Sequence, residues 1–150
     1  MKLLVQRVRE ARVEVEQAVV GRIGPGLLVL VCAEPADTED TVQAALTKLL
    51  KLRIFADDVG KMNRSVQDLD GKGSPGGLLL VSQFTLAADV RGGNRPSFQG
   101  AAAPQLARHL FDTLVQRAQA QHPLVATGRF AADMQVHLIN DGPVTIPLQF

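Results

Sequence analysis

The sequence contains no tryptophan and no tyrosine, and six phenylalanines are its whole aromatic complement. A broad aromatic platform for stacking RNA bases is therefore not expected; base contacts would rest on a Phe, an Arg plane or a Met. A single cysteine, Cys32, allows no internal disulfide and sits inside an apolar run, which reads as core packing. That run, Leu27 to Ala33, is the longest and falls far short of the roughly 20 apolar residues of a membrane-spanning helix. Met1 to Leu4 lead straight into charged, alternating sequence, so no secretory leader is readable and a cytoplasmic protein is expected. Excess charge is lacking too. Sixteen basic against fifteen acidic residues give a formal +1, which excludes a polybasic wrapper of nucleic acid. Eleven of the sixteen basic residues are arginine, a bias that suits bidentate phosphate or carboxylate contacts and equally follows from genome composition.

What is present is one domain's worth of chain, 1–150, with 46% hydrophobic and 21% charged residues, enough for a core and a polar surface. Arg12 to Glu16 alternate with a period of two, and Val19 to Ile23 follow as a possible partner strand. Gly24-Pro25-Gly26 marks a turn before the buried strand Leu27–Cys32. The period then changes. Thr38 is placed as an N-cap, Glu39 and Asp40 fill an acidic first turn, and Val42, Ala45, Leu46, Leu49 and Leu52 form a helical apolar face. Ile54–Ala56 is strand-like, Asp57–Gly60 a turn, and the Gly/Pro-rich stretch from Val66 to Gly77 reads as a mobile hairpin loop. Leu78–Phe84 is a second buried strand, and Arg91–Gly100 a loop. A second helix starts near Pro104, with Leu106, Leu110, Leu114 and Ala118 facing inward. Alternation returns in 134–138 and 144–148. About seven strands and two helices without regular strand–helix alternation predict an α+β fold: a curled, barrel-like antiparallel or mixed sheet with both helices packed against it.

Familiar catalytic hardware is missing. Gly71-Lys72 is followed by Gly73, not by the Ser or Thr of a phosphate-binding loop. A calcium loop starting at Asp68 fails at Lys72 and at Leu79, where acids belong. Ser74 has Lys72 two residues before it, so there is no nucleophile elbow. His109, His122 and His137 are unclustered and read as surface or helix-end residues, so no metal and no cofactor are expected. An enzyme built from this chain must draw on hydroxyls, backbone dipoles or the substrate itself.

Two segments have polarity that does not suit their surroundings. Ser82-Gln83-Phe84-Thr85-Leu86 ends an apolar strand with three hydrogen-bonding side chains. Asn140-Asp141-Gly142-Pro143-Val144-Thr145 lies between two alternating stretches and reads, on its own, as a hairpin turn. At these residues the sequence resembles the D-aminoacyl-tRNA deacylase family, whose two signatures stand complete at 82–86 and 140–145. The resemblance extends through Val5–Val8, Gly26–Leu30, Arg53–Phe55, Gly60–Asn63, Arg95–Phe98 and Thr127–Met134, in matching order over nearly the whole chain. One departure is the loop from Asp68 to Gly77, which is longer than usual.

The resemblance implies a homodimer whose active sites form across the subunit interface. A cis Gly142-Pro143 dipeptide would enter the partner's pocket and aim backbone carbonyls at the substrate's α-carbon, excluding an L side chain and admitting a D one. Glycine has nothing to exclude, so glycyl-tRNA mischarged on tRNA(Ala) would also be hydrolysed. Arg7 would support the dipeptide. Gln83 and Phe84 would supply backbone N–H groups to an oxyanion. Ser82, Val144 and Thr145 would line the pocket, and Phe130 and Met134 would pack on the terminal adenine. Thr85 is the candidate nucleophile by residue type, yet no base adjoins it in sequence. Hydrolysis assisted by the 2′-hydroxyl of the terminal ribose is therefore favoured over a threonine nucleophile. The acceptor end of aminoacyl-tRNA is the expected partner, with Arg91 and Arg95 near phosphates; neither DNA nor a membrane is expected. A non-catalytic binder of the aminoacyl-tRNA end and an unrelated interaction module remain as alternatives.

Overall fold

The computed structural model describes all 150 residues. Its organising element is β1 (Lys2–Val15), whose apolar residues alternate inward. One edge of β1 pairs antiparallel with β8 (Gln135–Gln149) along nearly its full length. The other edge pairs first with β3 (Gly26–Cys32), through Lys2–Val8, and then with β2 (Ala18–Ile23), through Ala11–Val15. β3 runs parallel to β6 (Gly77–Ser82), which runs parallel to β7 (Val125–Thr127). The sheet curls until β2 meets β7, where Gly21 lies so close to Thr127 that a Cβ would overlap its carbonyl. The result is a mixed, nearly closed barrel with both helices outside it, as the patterning predicts.

β3 and β6 read as unbroken apolar runs because both of their faces are buried. Leu27, Val29, Val31, Leu78 and Leu80 pack toward the helices, whereas Leu28, Leu79 and Val81 join Val8, Ala11, Val13 and Ile23 inside the barrel. Helix α1 (Glu39–Lys51) starts at Thr38, which forms a reciprocal capping box with Thr41, and buries Val42, Ala45, Leu46, Leu49 and Leu50. Helix α2 (Pro104–Gln121) opens on its proline and buries Leu110, Phe111, Leu114 and Ala118. His122 caps its C-terminus, buried, with Nε2 2.6 Å from the carbonyl oxygen of Gly76. Arg117 on α2 reaches Glu39 on α1 at 2.6 Å.

Three expectations change. The strands number eight: β5 (Met62–Arg64) and β7 are not among those expected, the two C-terminal alternating stretches are the single strand β8, and β5 pairs with β4 (Phe55–Ala56) in a small sheet of its own around the Asp57 turn. The stretch from Val66 to Gly77 is not a hairpin, since its flanking strands belong to different sheets. It folds on itself: Asp70 accepts from the Lys72 amide, Asp68 from the Gly73 amide, and the Leu69 amide donates to Ser74. Residues 140–145 do not reverse the chain, because β8 passes straight through them.

Candidate active site

The first signature lies where β6 runs out. The Gln83 amide donates to the carbonyl of Val31 at 2.7 Å, extending the β3–β6 pairing by one residue before a 3-10 turn takes over at Phe84–Ala87. This corrects one expectation: the N–H of Gln83 is engaged within the sheet and not aimed at an oxyanion. The amides of Phe84 and Thr85 open the turn, where the first N–H groups have no acceptor inside it. The Gln83 side chain donates from Nε2 to Thr85 Oγ1 at 2.6 Å.

Ser82, Gln83 and Phe84 form one wall of a cleft of about 750 Å³, a volume within the ordinary range for small-ligand sites. Phe98, Pro104, Ala107 and Phe111 form a second wall, and Phe130 and Met134 close it. Phe84 meets Phe98 edge to face at 5.0 Å, and Phe130 lies 6.2 Å from Phe111. Met134 fits because position 128 is glycine; a Cβ there would stand 2.7 Å from Met134 Sδ. No Asp, Glu, His, Lys or Arg lines this cleft. Its one titratable side chain is the thiol of Cys32, which burial pushes above the ordinary range and which lies 3.5 Å from the carbonyl oxygen of Phe84. Thr85 is exposed beside the cleft and does not line it. Nor do three His, Cys, Asp or Glu side chains gather as metal ligands would.

The second signature forms a wide bulge in β8. Gln6 of β1 pairs with Thr145 and Val8 with Asn140, so Arg7 alone faces the four residues Asp141, Gly142, Pro143 and Val144. The Arg7 side chain fills the gap, donating from Nε to the Asp141 carbonyl at 2.8 Å and from Nη1 to the Ile54 carbonyl at 2.5 Å. The Gly142-Pro143 bond is cis, Gly142 has φ +147°, and both residues are exposed. Val144 is buried beneath them. Asn140, quoted in the motif but given no role from sequence, braces the bulge. Its Oδ1 accepts from the Val144 amide at 2.8 Å, and its Nδ2 donates to the Val144 carbonyl and to Thr145 Oγ1, each at 3.1 Å. Gln6 Nε2 also donates to Thr145 Oγ1, at 3.3 Å.

Ser82, Gln83, Phe84, Phe130 and Met134 are thus brought together, and Arg7, Gly142, Pro143, Val144 and Thr145 are brought together elsewhere. Within one chain the two groups do not meet, since no residue of the bulge lines the cleft. Arg91 is paired with Asp89 at 2.6 Å, and Arg95 is exposed in the same loop. Phe98, Phe111 and Asn140 carry parts of the geometry that sequence reasoning did not assign. For Asn140 the available signal was an Asn heading a segment of turn composition, where its side chain can bond the nearby backbone.

Comparison with known proteins agrees along the whole length. The family model for D-Tyr-tRNA(Tyr) deacylase matches residues 4–149. A D-aminoacyl-tRNA deacylase of Acidovorax ebreus (strain TPSY) is 70% identical over 146 residues, covering 97% of this chain and 95% of its own. One of Polaromonas naphthalenivorans (strain CJ2) is 68% identical over 148 residues, covering 99% and 96%. Among solved structures, the "c-Myc DNA Unwinding Element Binding Protein" superimposes with a TM-score of 0.90 at 38% identity, covering 100% of this chain and 99% of that one. A probable eukaryotic D-amino acid tRNA deacylase shares the fold, with a TM-score of 0.77 at 18% identity over 98% and 97% of the two chains. With both signatures intact and a match spanning 4–149, the chain belongs to the D-Tyr-tRNA(Tyr) deacylase family.

Proposed function

We propose that this protein hydrolyses the ester joining a D-amino acid to the 3′ end of tRNA, releasing free tRNA and the D-amino acid. The observation that carries the reading is the pairing of an apolar cleft, lined by no Asp, Glu, His, Lys or Arg, with a braced and exposed Gly142-Pro143 bulge that lies outside the cleft of its own chain. A bulge of this kind completes a cleft on a second copy. Leu138 and Ile139, exposed on the same edge strand, supply apolar surface for such a homodimer. The Gly142 and Pro143 carbonyls then crowd the face of the α-carbon where an L side chain would project. Discrimination by collision needs no chemical group, only a backbone that holds its place, and Arg7 and Asn140 hold it. Glycyl-tRNA passes the same filter.

The terminal adenine packs between Phe130 and Met134, and the Phe84 amide donates to the developing oxyanion. Ser82 and Thr145 offer hydroxyls to the substrate from the two sides, and Val144 supports the bulge from below. In the absence of a protein base, the terminal 2′-hydroxyl assists the attacking water, and the protein's contribution is orientation, worth up to about 7–11 kcal/mol of barrier. The near-neutral charge suits a grip on the short acceptor end, in the cytoplasm, rather than on extended DNA or a membrane surface.

The test is deacylation of D-tyrosyl-, L-tyrosyl- and glycyl-tRNA at substoichiometric protein. Turnover of the D and glycyl esters with the L ester spared is expected. Stable binding of tRNA without turnover would instead establish a carrier of the aminoacyl end and overturn the hydrolase reading.

A further inference from the structure

Most arginines of this chain are already engaged. Arg7, Arg9, Arg12, Arg64, Arg91 and Arg117 form ion pairs, and Arg53 donates to the carbonyl of Asn63. Arg108 is different. It is exposed on the first half of α2, enters no ion pair, and its guanidinium carbon lies 4.6 Å above the centre of the Phe130 ring. The neighbouring residue Ala107 and, one turn earlier, Pro104 both line the cleft. Stacking on Phe130 therefore fixes a full positive charge at the rim, on an arm whose other donors are free to bind. Arg129, exposed and likewise outside any ion pair, adjoins Phe130 in the chain.

An aromatic ring bearing a cation on its face, at the mouth of an apolar cleft, suits the end of a polynucleotide: an apolar base enters and an anionic phosphodiester remains at the rim. We propose that Arg108 binds the phosphodiester immediately preceding the terminal nucleoside of the substrate, with Arg129 adding to the same positive rim. The proposal rests on the deacylase reading and deepens it. It makes Arg108 a binding residue that distinguishes an RNA 3′ end from an isolated aminoacyl nucleoside. Charge carries the contact, so it must weaken with salt, and a ligand lacking the phosphodiester must be indifferent to it.

The test compares D-tyrosyl-tRNA with the D-tyrosyl ester of adenosine, which has no phosphodiester, using R108Q, R108K and, as a matched charge loss elsewhere, R22Q on the exposed Arg22 of β2. R108Q is expected to raise KM for the tRNA ester about fivefold with kcat held, and to flatten the dependence of log kcat/KM on log salt by about 0.7. R108K should restore most of the salt slope, and R22Q should leave it unchanged. KM for the adenosine ester should be the same for R108Q and the unaltered protein. An equal rise in KM on both esters would make Arg108 a mere prop for Phe130, and an unchanged salt slope would remove it from the phosphate; either result overturns the proposal while the deacylase reading stands. Failure of the unaltered protein to hydrolyse either ester would overturn both.

Discussion

Arg7 holds Asp141 by its backbone: Nε donates to the carbonyl oxygen at 2.8 Å, while the same nitrogen stands 3.5 Å from the Asp141 carboxylate. The second arm of the fork, Nη1, anchors to the carbonyl of Ile54, outside the barrel strands. The bulge is therefore tied through one side chain to the chain segment that follows α1. Lysine has a single point of charge and cannot reproduce two directed bonds at once. R7K is expected to lower kcat/KM for D-tyrosyl-tRNA by about 10- to 100-fold, the range for losing charge-assisted hydrogen bonds. It should also narrow the preference for D over L esters. Kinetics on the two enantiomers check this, with circular dichroism confirming a folded chain; full turnover with full discrimination would show the brace to be dispensable.

Gly142 tests the same bulge from the backbone side. Its φ of +147° is one that L side chains rarely adopt, and a Cβ would stand 2.7 Å from Val144 Cγ2 and 3.1 Å from Arg7 Nη2. G142A should cost about 1–3 kcal/mol of stability and displace the carbonyls that we propose meet substrate. Gly60 supplies the contrast, with φ +80° and open space around it. Urea denaturation of both variants should show the larger loss for G142A, and only G142A should impair turnover. Equal losses would mean that crowding at position 142 contributes nothing.

The layered parts of this molecule were written plainly in its sequence. Thr38 and Pro104 mark helix starts by their own chemistry, and the double-sided burial of β3 and β6 follows from the runs Leu27–Cys32 and Leu78–Val81, which hold no polar side chain. Misreadings occurred where a partner decides the outcome. Asn140-Asp141-Gly142-Pro143 has turn composition, yet β1 continues alongside it and the chain bulges instead of reversing. Gln83 could be placed in the site by its motif, but the engagement of its N–H by Val31 depends on a parallel neighbour that no local pattern reveals. For the same reason the cleft's second wall, Phe98 and Phe111, comes from segments far from either signature.

Glu34 contributes to the acid stability of the closure between the chain ends, where Asp37 also accepts from the N-terminal ammonium, at 2.5 Å. Glu34 accepts from the N-terminal ammonium at 3.2 Å and from Gln149 Nε2 at 2.5 Å, and it lies 3.4 Å from Lys2 Nζ. Burial pushes its carboxyl up, but the hydrogen bonds and nearby positive charges outweigh burial and leave it below the usual glutamate range. A depressed folded-state value stabilises the fold above the unfolded pKa, and that contribution is lost as pH falls through the folded value. Stability should therefore decline below about pH 4. E34Q is expected to be less stable at pH 7 and to decline less on acidification, read as urea midpoints across pH 2–7. Parallel curves for E34Q and the unaltered protein would remove Glu34 from the acid response.

Thr85 is where the two proposed routes of ester cleavage can be told apart. Its Oγ1 accepts a hydrogen bond from Gln83 Nε2 at 2.6 Å, and an amide donor can take no proton from the hydroxyl. With no Asp, Glu, His, Lys or Arg lining the cleft, no side-chain base is placed there to generate an alkoxide at Thr85. A nucleophilic threonine is thus poorly supplied, whereas the terminal ribose carries a hydroxyl next to the ester it must lose. T85A should lower kcat less than about tenfold, while D-tyrosyl-tRNA ending in 2′-deoxyadenosine should lose about 10²- to 10⁴-fold, the ordinary contribution of a positioned proton-transfer group. The two changes separate cleanly, because one alters only the protein and the other only the substrate. Abolished turnover in T85A, combined with normal turnover of the deoxy ester, would make Thr85 the nucleophile and require a base brought by a second subunit. Loss in both would mean that the hydroxyls act together, with the Gln83–Thr85 pair positioning the ribose.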